Sequence, residues 1–301
     1  MDLSLDTEQE ALVAATFQWC RDNMPLEQAR NRPAALWADL ETMGWTGMTA
    51  PQMGLSHASE VLVFAELGRH IAPVSLISTA VSARWAAEPG KAALVQLDRY
   101  LHGGKLRVLE PEGATRAIGL LGPLIATMEL PLELSSMPSL DLATNIAHLE
   151  PAPPFASIGD SRAALHFQLL TAAFAVGCAD AARDMAAEYA KVREQFDRPI
   201  GWFQALKHIC ADMAVRCAVA RSQLIYAACA LDADQADAGF NAAAAKRLAD
   251  QAAIENARAN VQVHGGIGMT DEAYPHFCLK RAHLLSFIAP VRREIILGEA
   301  G

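Results

Sequence analysis

From Ser161 to His264 the sequence is rich in alanine, and its larger apolar residues recur at three- and four-residue spacing. The pattern breaks at "VREQFDRPIGWFQ" and again after Asp232. That pattern constrains the fold more than any other feature. One helix runs through "RAALHFQLLTAAFAVGCADAARDMAAEYAKVREQF". A second carries Phe203, Leu206, Ile209, Met213, Cys217, Ala220 and Leu224 along one face, and a third, "NAAAAKRLADQAAIENARANVQVH", stops at Gly265. A fourth is predicted from about Asp271. Alanine has the best intrinsic helix propensity, and small side chains let helix axes approach closely. Such segments joined by short turns fold as an up-and-down four-helix bundle, which we place at residues 158–301.

The N-terminal part also has a helical period. Thr7 followed by Glu10 has the spacing of a capping box ahead of "ALVAATFQWCRDNM". Pro33 and Gly44 bracket another helix, and "SEVLVFAELGRH" and "SLISTAVSARWAAE" read as two more, so residues 1–102 are predicted to be a helical domain. From 103 to 157 the pattern changes to short apolar runs punctuated by proline and glycine, which predicts a small layer of strands and loops. The expected fold class is therefore mainly α. Asp160 and Ser161 are the expected caps of the helix that follows.

A net charge of -9 with scattered basic residues argues against a nucleic-acid partner. The sequence offers no uninterrupted apolar run suited to a membrane span, and its acidic opening "MDLSLDTEQE" lacks an export signal, so the expected location is the cytoplasm. The six cysteines form no CxxC pair and read as buried free thiols. The nine histidines show no i, i+4 pairing with a carboxylate nearby, so no metal is expected.

Two stretches are dense enough to carry chemistry. Gly265 suits a left-handed helix cap, and Gly266 and Gly268 add backbone that a ligand could approach closely. In "VREQFDRPIGWFQ", Arg193 offers a planar fork suited to a diphosphate and Phe196 a face suited to an adenine ring. Taken locally, each has a plain alternative: a helix cap for the first, a hinge with a paired arginine for the second.

In this order the two stretches, "REQFDRPIGWFQALKHICADM" and "VQVHGGIGMT" with "CLKRA" after it, resemble the acyl-CoA dehydrogenase family. "MGWTG", "PQMGLS" and "FAELGRHIAPVSLISTAV" extend the resemblance over essentially the whole chain. It implies an N-terminal helical domain, a much reduced middle β region and a C-terminal four-helix bundle. It also implies FAD as cofactor, α,β-dehydrogenation of an acyl-CoA thioester, and an electron-transfer flavoprotein as acceptor. On the same grounds Arg193, Gln195 and Phe196 hold the diphosphate and adenine of a neighbouring subunit's FAD, and Gln262, Gly265 and Gly266 touch the same cofactor.

The sequence departs from the family pattern at the catalytic base. The position that follows "CLKRA" in the family reads Ala289-Pro290, and the alternative position on the first bundle helix reads Phe167-Gln168. An apolar side chain cannot remove a proton. Asp271, Glu272 and Glu294 remain as acids; the first two suit a helix start and the third a surface cluster, with Glu272 a weak candidate base. The chain thus resembles the base-lacking partner in a heterotetramer of two unlike short chains, as in bacterial steroid and acyl side-chain degradation. Two alternatives stay open: a self-sufficient homomeric dehydrogenase using a non-standard acid, and a structural subunit without FAD.

Overall fold

The computed structural model describes residues 4–88, 90–97, 105–150, 152 and 154–291. Four helices come first: α1 (Thr7–Asn23), α2 (Leu36–Thr42), α3 (His57–Arg69) and α4 (Ser75–Trp85). The cap of α1 lies one residue earlier than the spacing suggests. Asp6, not Thr7, accepts from Gln9 N at 2.8 Å, and the Gln9 side chain accepts from Asp6 N. "DTEQE" offers two registers, and the one that puts a full charge at the positive end of the helix is adopted.

A seven-stranded sheet follows, ordered β5-β6-β2-β1-β3-β4-β7, with β1 (Ala92–Gln96), β2 (Leu106–Leu109), β3 (Arg116–Leu121), β4 (Leu124–Glu129), β5 (Met137–Pro138), β6 (Asn145–Leu149) and β7 (Ala156–Ile158). β1 and β3 run parallel, and the other pairs are antiparallel. The central strand β1 lies within the first hundred residues, where only helices were expected. A five-residue strand buried on both faces has no period that separates it from a short helix. The expected boundary at 102–103 lies outside the described residues. The inner face of the sheet, with Leu94, Leu109, Ile118 and Ile125, joins the main helical core. The outer face, with Ala93, Val95, Val108 and Ala126, forms a second cluster covered by Leu134 and Ala152.

The C-terminal part holds α5 (Arg162–Val192), α6 (Gln204–Asp232), α7 (Ala238–His264) and α8 (Pro275–Ser286). The fourth helix has only 12 residues and starts at Pro275, a residue tolerated in a first turn, rather than at Asp271. Ahead of α5 it is Asp160 that caps, accepting from Arg162 N at 2.9 Å, while the Ser161 side chain makes no cap. α5 is the axis of the molecule, buried along most of its length, and it crosses α3 backbone to backbone. A Cβ on Gly177 would lie 1.8 Å from the carbonyl oxygen of Ala65, and one on Gly68 would lie 2.5 Å from that of Phe174. Buried acids tie the same crossing to α6, where Arg221 pairs with Asp180 of α5 and reaches Glu66 of α3 at 3.8 Å.

α5 and α6 are both long and apolar enough to cross a membrane by length and composition. α5 is a core helix here, whereas α6 leaves Val215 (61%) and Val219 (49%) on an open outer face. All six cysteines are free; burial pushes the Cys20 and Cys217 thiols up to about 12, leaving them unreactive at neutral pH.

Candidate functional site

After α5 the chain turns through a two-residue hairpin, with Glu194 and Gln195 paired to Pro199 and Arg198. Its tip residues Phe196 and Asp197 both have positive φ, 57° and 60°, the combination of a type I′ turn, which normally favours Asn-Gly. A bulky aromatic residue in that region is strained. The turn leaves the Phe196 ring 83% exposed, edge-on to Phe203 at 6.0 Å. At the hairpin's base Arg193 forms no ion pair among the described residues, and its backbone carbonyl accepts from Ile200 N at 2.8 Å.

The hairpin faces the end of α7, where each glycine has its own reason. Gly265 adopts φ +66°, ψ −144°, a conformation that strains any side chain, and its N–H returns to the carbonyls of Val261 and Gln262. Gly268 has negative φ, but its Cβ would lie 3.0 Å from both the Val261 carbonyl and the His264 Cβ. Gly266 has neither constraint: its φ is ordinary and nothing lies within 4 Å of a Cβ built there. Helix capping and packing therefore account for two of the three.

Together these segments enclose a concavity of about 440 Å³ lined by Tyr189, Arg193, Gln195, Ile200, His264, Gly265 and Gly266, among others. Four of the expected cofactor residues, Arg193, Gln195, Gly265 and Gly266, are thus brought together across some 70 residues of chain. Phe196 and Gln262 are exposed beside it but do not line it. Sequence reasoning missed Tyr189 and His264, whose rings stack at 4.0 Å to form one wall. His264 Nδ1 lies 2.9 Å from the Asn260 carbonyl, and burial holds the imidazole below its ordinary value despite that bond. Their spacing from the motifs was the available signal, but neither residue type is distinctive alone.

A larger cavity of about 730 Å³ lies between the inner face of the sheet and α8. Phe167 from α5 and Ala289 after α8 both line it, so the two positions where the family resemblance expects a base converge on one space. Ala289 adopts φ 51° there, an unusual conformation for alanine. The walls are largely leucine, isoleucine and phenylalanine. Asp141 is the single carboxylate among the described lining residues, and it is committed to Arg281, with Nε–Oδ2 at 2.5 Å. No described carboxylate in this cavity is free to take a proton.

Of the remaining acids, the two that are described lie elsewhere. Asp271 is exposed and pairs with Arg30, Glu272 is exposed, and neither lines either cavity; neither caps α8, whose N-cap is Tyr274. Glu294 lies outside the described residues. One cluster escaped sequence reasoning altogether: His57 and Glu60 on α3 meet His166 on α5, all buried, with ligand atoms within 4.8 Å of one another. His166 Nε2 lies 2.6 Å from Glu60 Oε2, and Trp85 Nε1 donates to His166 Nδ1 at 3.0 Å. An indole N–H can only donate, so Nδ1 is bare and Nε2 carries the proton toward Glu60. A cation at this place would need that nitrogen deprotonated.

Residues 162–289 match the acyl-CoA dehydrogenase C-terminal domain family. The chain is 33% identical over 286 residues to the acyl-CoA dehydrogenase IpdE2 of Mycobacterium tuberculosis, covering 89% of this chain and 86% of that protein. Among solved structures, butyryl-CoA dehydrogenase from Megasphaera elsdenii superposes with a TM-score of 0.80 at 18% identity, over 99% of this chain and 98% of that one. A chain of the ChsE4-ChsE5 complex of Mycobacterium tuberculosis gives 0.76 at 21% identity, with both chains covered completely. Sequence identity over nearly the full length, with the fold agreeing, establishes that this chain belongs to the acyl-CoA dehydrogenase family.

Proposed function

We propose that the chain is one subunit of an FAD-dependent acyl-CoA dehydrogenase, that it lacks the catalytic base, and that it completes FAD sites together with a second, acyl-CoA dehydrogenase-like chain. The observation that carries this reading is the 730 Å³ cavity: Phe167 and Ala289 stand at both base positions, and its one described carboxylate is locked to Arg281.

The smaller concavity suits a dinucleotide. Arg193 has no counter-charge among the described residues, and its fork can donate two parallel hydrogen bonds to a diphosphate. Gly266 leaves backbone open to close approach, and the strained turn presents Phe196 outward, where a ring bound partly by another chain could stack. When bound, FAD supplies the hydride acceptor; this chain's residues hold and orient it. The α-proton of the thioester would be taken by a carboxylate of the partner, and an electron-transfer flavoprotein would be the electron acceptor. Support for a partner also comes from the open apolar face of α6, with Val215 and Val219 exposed and Trp202 (64%) just ahead of the helix.

The test is to purify the chain alone and co-expressed with its candidate partner, then measure bound flavin by absorbance and acyl-CoA-dependent dye reduction. Flavin and activity are expected only in the co-purified complex. Turnover by the lone chain would overturn the reading in favour of a self-sufficient enzyme; a stable complex with neither flavin nor activity would favour a structural role.

A further inference from the structure

The large cavity is lined mainly by apolar side chains, with the cations Arg107 and Lys280 among them. Register across the sheet sets this out in rows. Leu94, Leu109 and Ile146 pair across β1, β2 and β6 as one apolar row on the inner face, and two residues along the strands Gln96, Arg107 and His148 pair as a polar row. Arg107 and Gln96 line the cavity. From the opposite wall α8 contributes Lys280 and His283, which are three apart and so share a helix face.

Arg107 is only partly exposed, and it makes no ion pair or side-chain hydrogen bond among the described residues. The neighbouring acids among the described residues are already used. Asp141 is bound to Arg281 and receives Ala143 N and Thr144 Oγ1, and Glu110 receives the N–H groups of Val74 and Ser75 at the start of α4. A guanidinium at this wall with no carboxylate partner among the described residues leaves its fork open to an anion held in the cavity.

On the functional reading above, we infer that this cavity selects an acyl group carrying an ionised carboxylate, with Arg107 as the residue that reads it and Lys280 on the facing wall adding to the attraction. The apolar row takes the hydrocarbon body. A planar fork matches a carboxylate through two N–H donors, which a point charge cannot do. A phosphate of the coenzyme or of the flavin shares the anionic chemistry, and the experiment separates it.

The co-purified complex is titrated calorimetrically with suberyl-CoA and with octanoyl-CoA, which differ by one terminal carboxylate. Suberyl-CoA is expected to bind about tenfold tighter or more, and in Arg107→Met the ratio of the two affinities is expected to fall to about one. Arg107→Lys should retain part of the preference, and Lys280→Met should reduce it. Equal affinities in the wild type would overturn the inference. So would an Arg107→Met variant that binds both ligands more weakly in the same proportion, or that loses flavin, since Arg107 would then serve a phosphate. Octanoate against octanol on the same preparations gives a reading that needs neither coenzyme nor turnover. Preference for octanoate, lost in Arg107→Met, supports the site even in a complex that fails to reduce dye; equal binding of octanol defeats it even in an active one.

Discussion

Asp141 and Arg281 stand 140 positions apart in the chain and meet in the core, both side chains 1% exposed, with Arg281 Nε donating to Asp141 Oδ2 at 2.5 Å. The remaining donors of the guanidinium reach the Ala72 carbonyl at 2.6 Å and Thr144 Oγ1 at 3.2 Å. One side chain of α8 therefore fastens the bundle both to the loop before β6 and to the turn between α3 and α4, and so fixes one wall of the large cavity. Breaking a buried pair strands a charge, whereas replacing both members by apolar groups removes the desolvation cost along with the attraction. Asp141→Ala is expected to destabilise the fold by about 3–5 kcal/mol, and Asp141→Leu combined with Arg281→Met to recover most of the loss. Midpoints of urea denaturation for the single and double variants check this.

Phe196 carries a strain that nothing among the described residues explains. At φ 57° and 83% exposed, the ring buries little and occupies a turn position suited to glycine or asparagine. Replacing it by glycine should raise the melting temperature of the isolated chain, by about 1 kcal/mol in stability terms. If the exposed ring serves a shared cofactor, the same substitution lowers flavin content in the complex. A stability gain with flavin unchanged would assign Phe196 to no cofactor role.

The parts of this molecule legible from sequence are those governed by local rules. The long helices followed from apolar spacing and alanine content, and the turn at Gly265 from its place after a helical run. Non-local pairing decided what was not legible. Ala92–Gln96 is a strand because β2 and β3 flank it, and its own five residues do not distinguish a strand from a helix. The His57–Glu60–His166 cluster exists because α3 crosses α5, so its members lie 106 positions apart at the hydrogen bond that defines it. The two positions where the family resemblance expects a base were readable as Phe167 and Ala289, but that both border the same space required the tertiary fold.

The three glycines of the α7 turn separate structural from binding roles. Gly265→Ala forces a Cβ into φ +66° and should cost about 1 kcal/mol or more of stability. Gly268→Ala meets the Val261 carbonyl at 3.0 Å and should also destabilise. Gly266→Ala meets nothing among the described residues and should leave thermal unfolding unchanged. Its methyl group would project where a dinucleotide is proposed to approach, so flavin retention in the complex should fall, as it should in Arg193→Ala, which removes a charge-assisted contact of about 1.5–3 kcal/mol. Unfolding curves paired with flavin-to-protein ratios for the four variants read both effects. Full flavin occupancy in Gly266→Ala and Arg193→Ala would move the cofactor away from this concavity.

His70, at the end of α3, links acid stability to packing between α1 and α3. Its Nδ1 faces the Met24 carbonyl at 3.4 Å, the ring stands edge-on to Phe17 at 6.0 Å, and Nε2 is buried without a partner. Burial lowers the imidazole to about 4, the Met24 carbonyl opposing and the charges of Arg69 and Arg32 adding to the effect. A base with a depressed folded value stays neutral in the native state while the unfolded chain takes up a proton below about 6.5. Its effect on stability is therefore nil above that pH, grows as pH falls toward about 4, and levels off below. Burial of His166, His264 and His276 adds the same sign. Melting temperature should fall through this window, and His70→Gln, whose amide can still donate to the Met24 carbonyl but binds no proton, should make the decline shallower. Parallel profiles for wild type and His70→Gln between pH 6.5 and 4 would show instead that the imidazole accepts its proton without leaving its place.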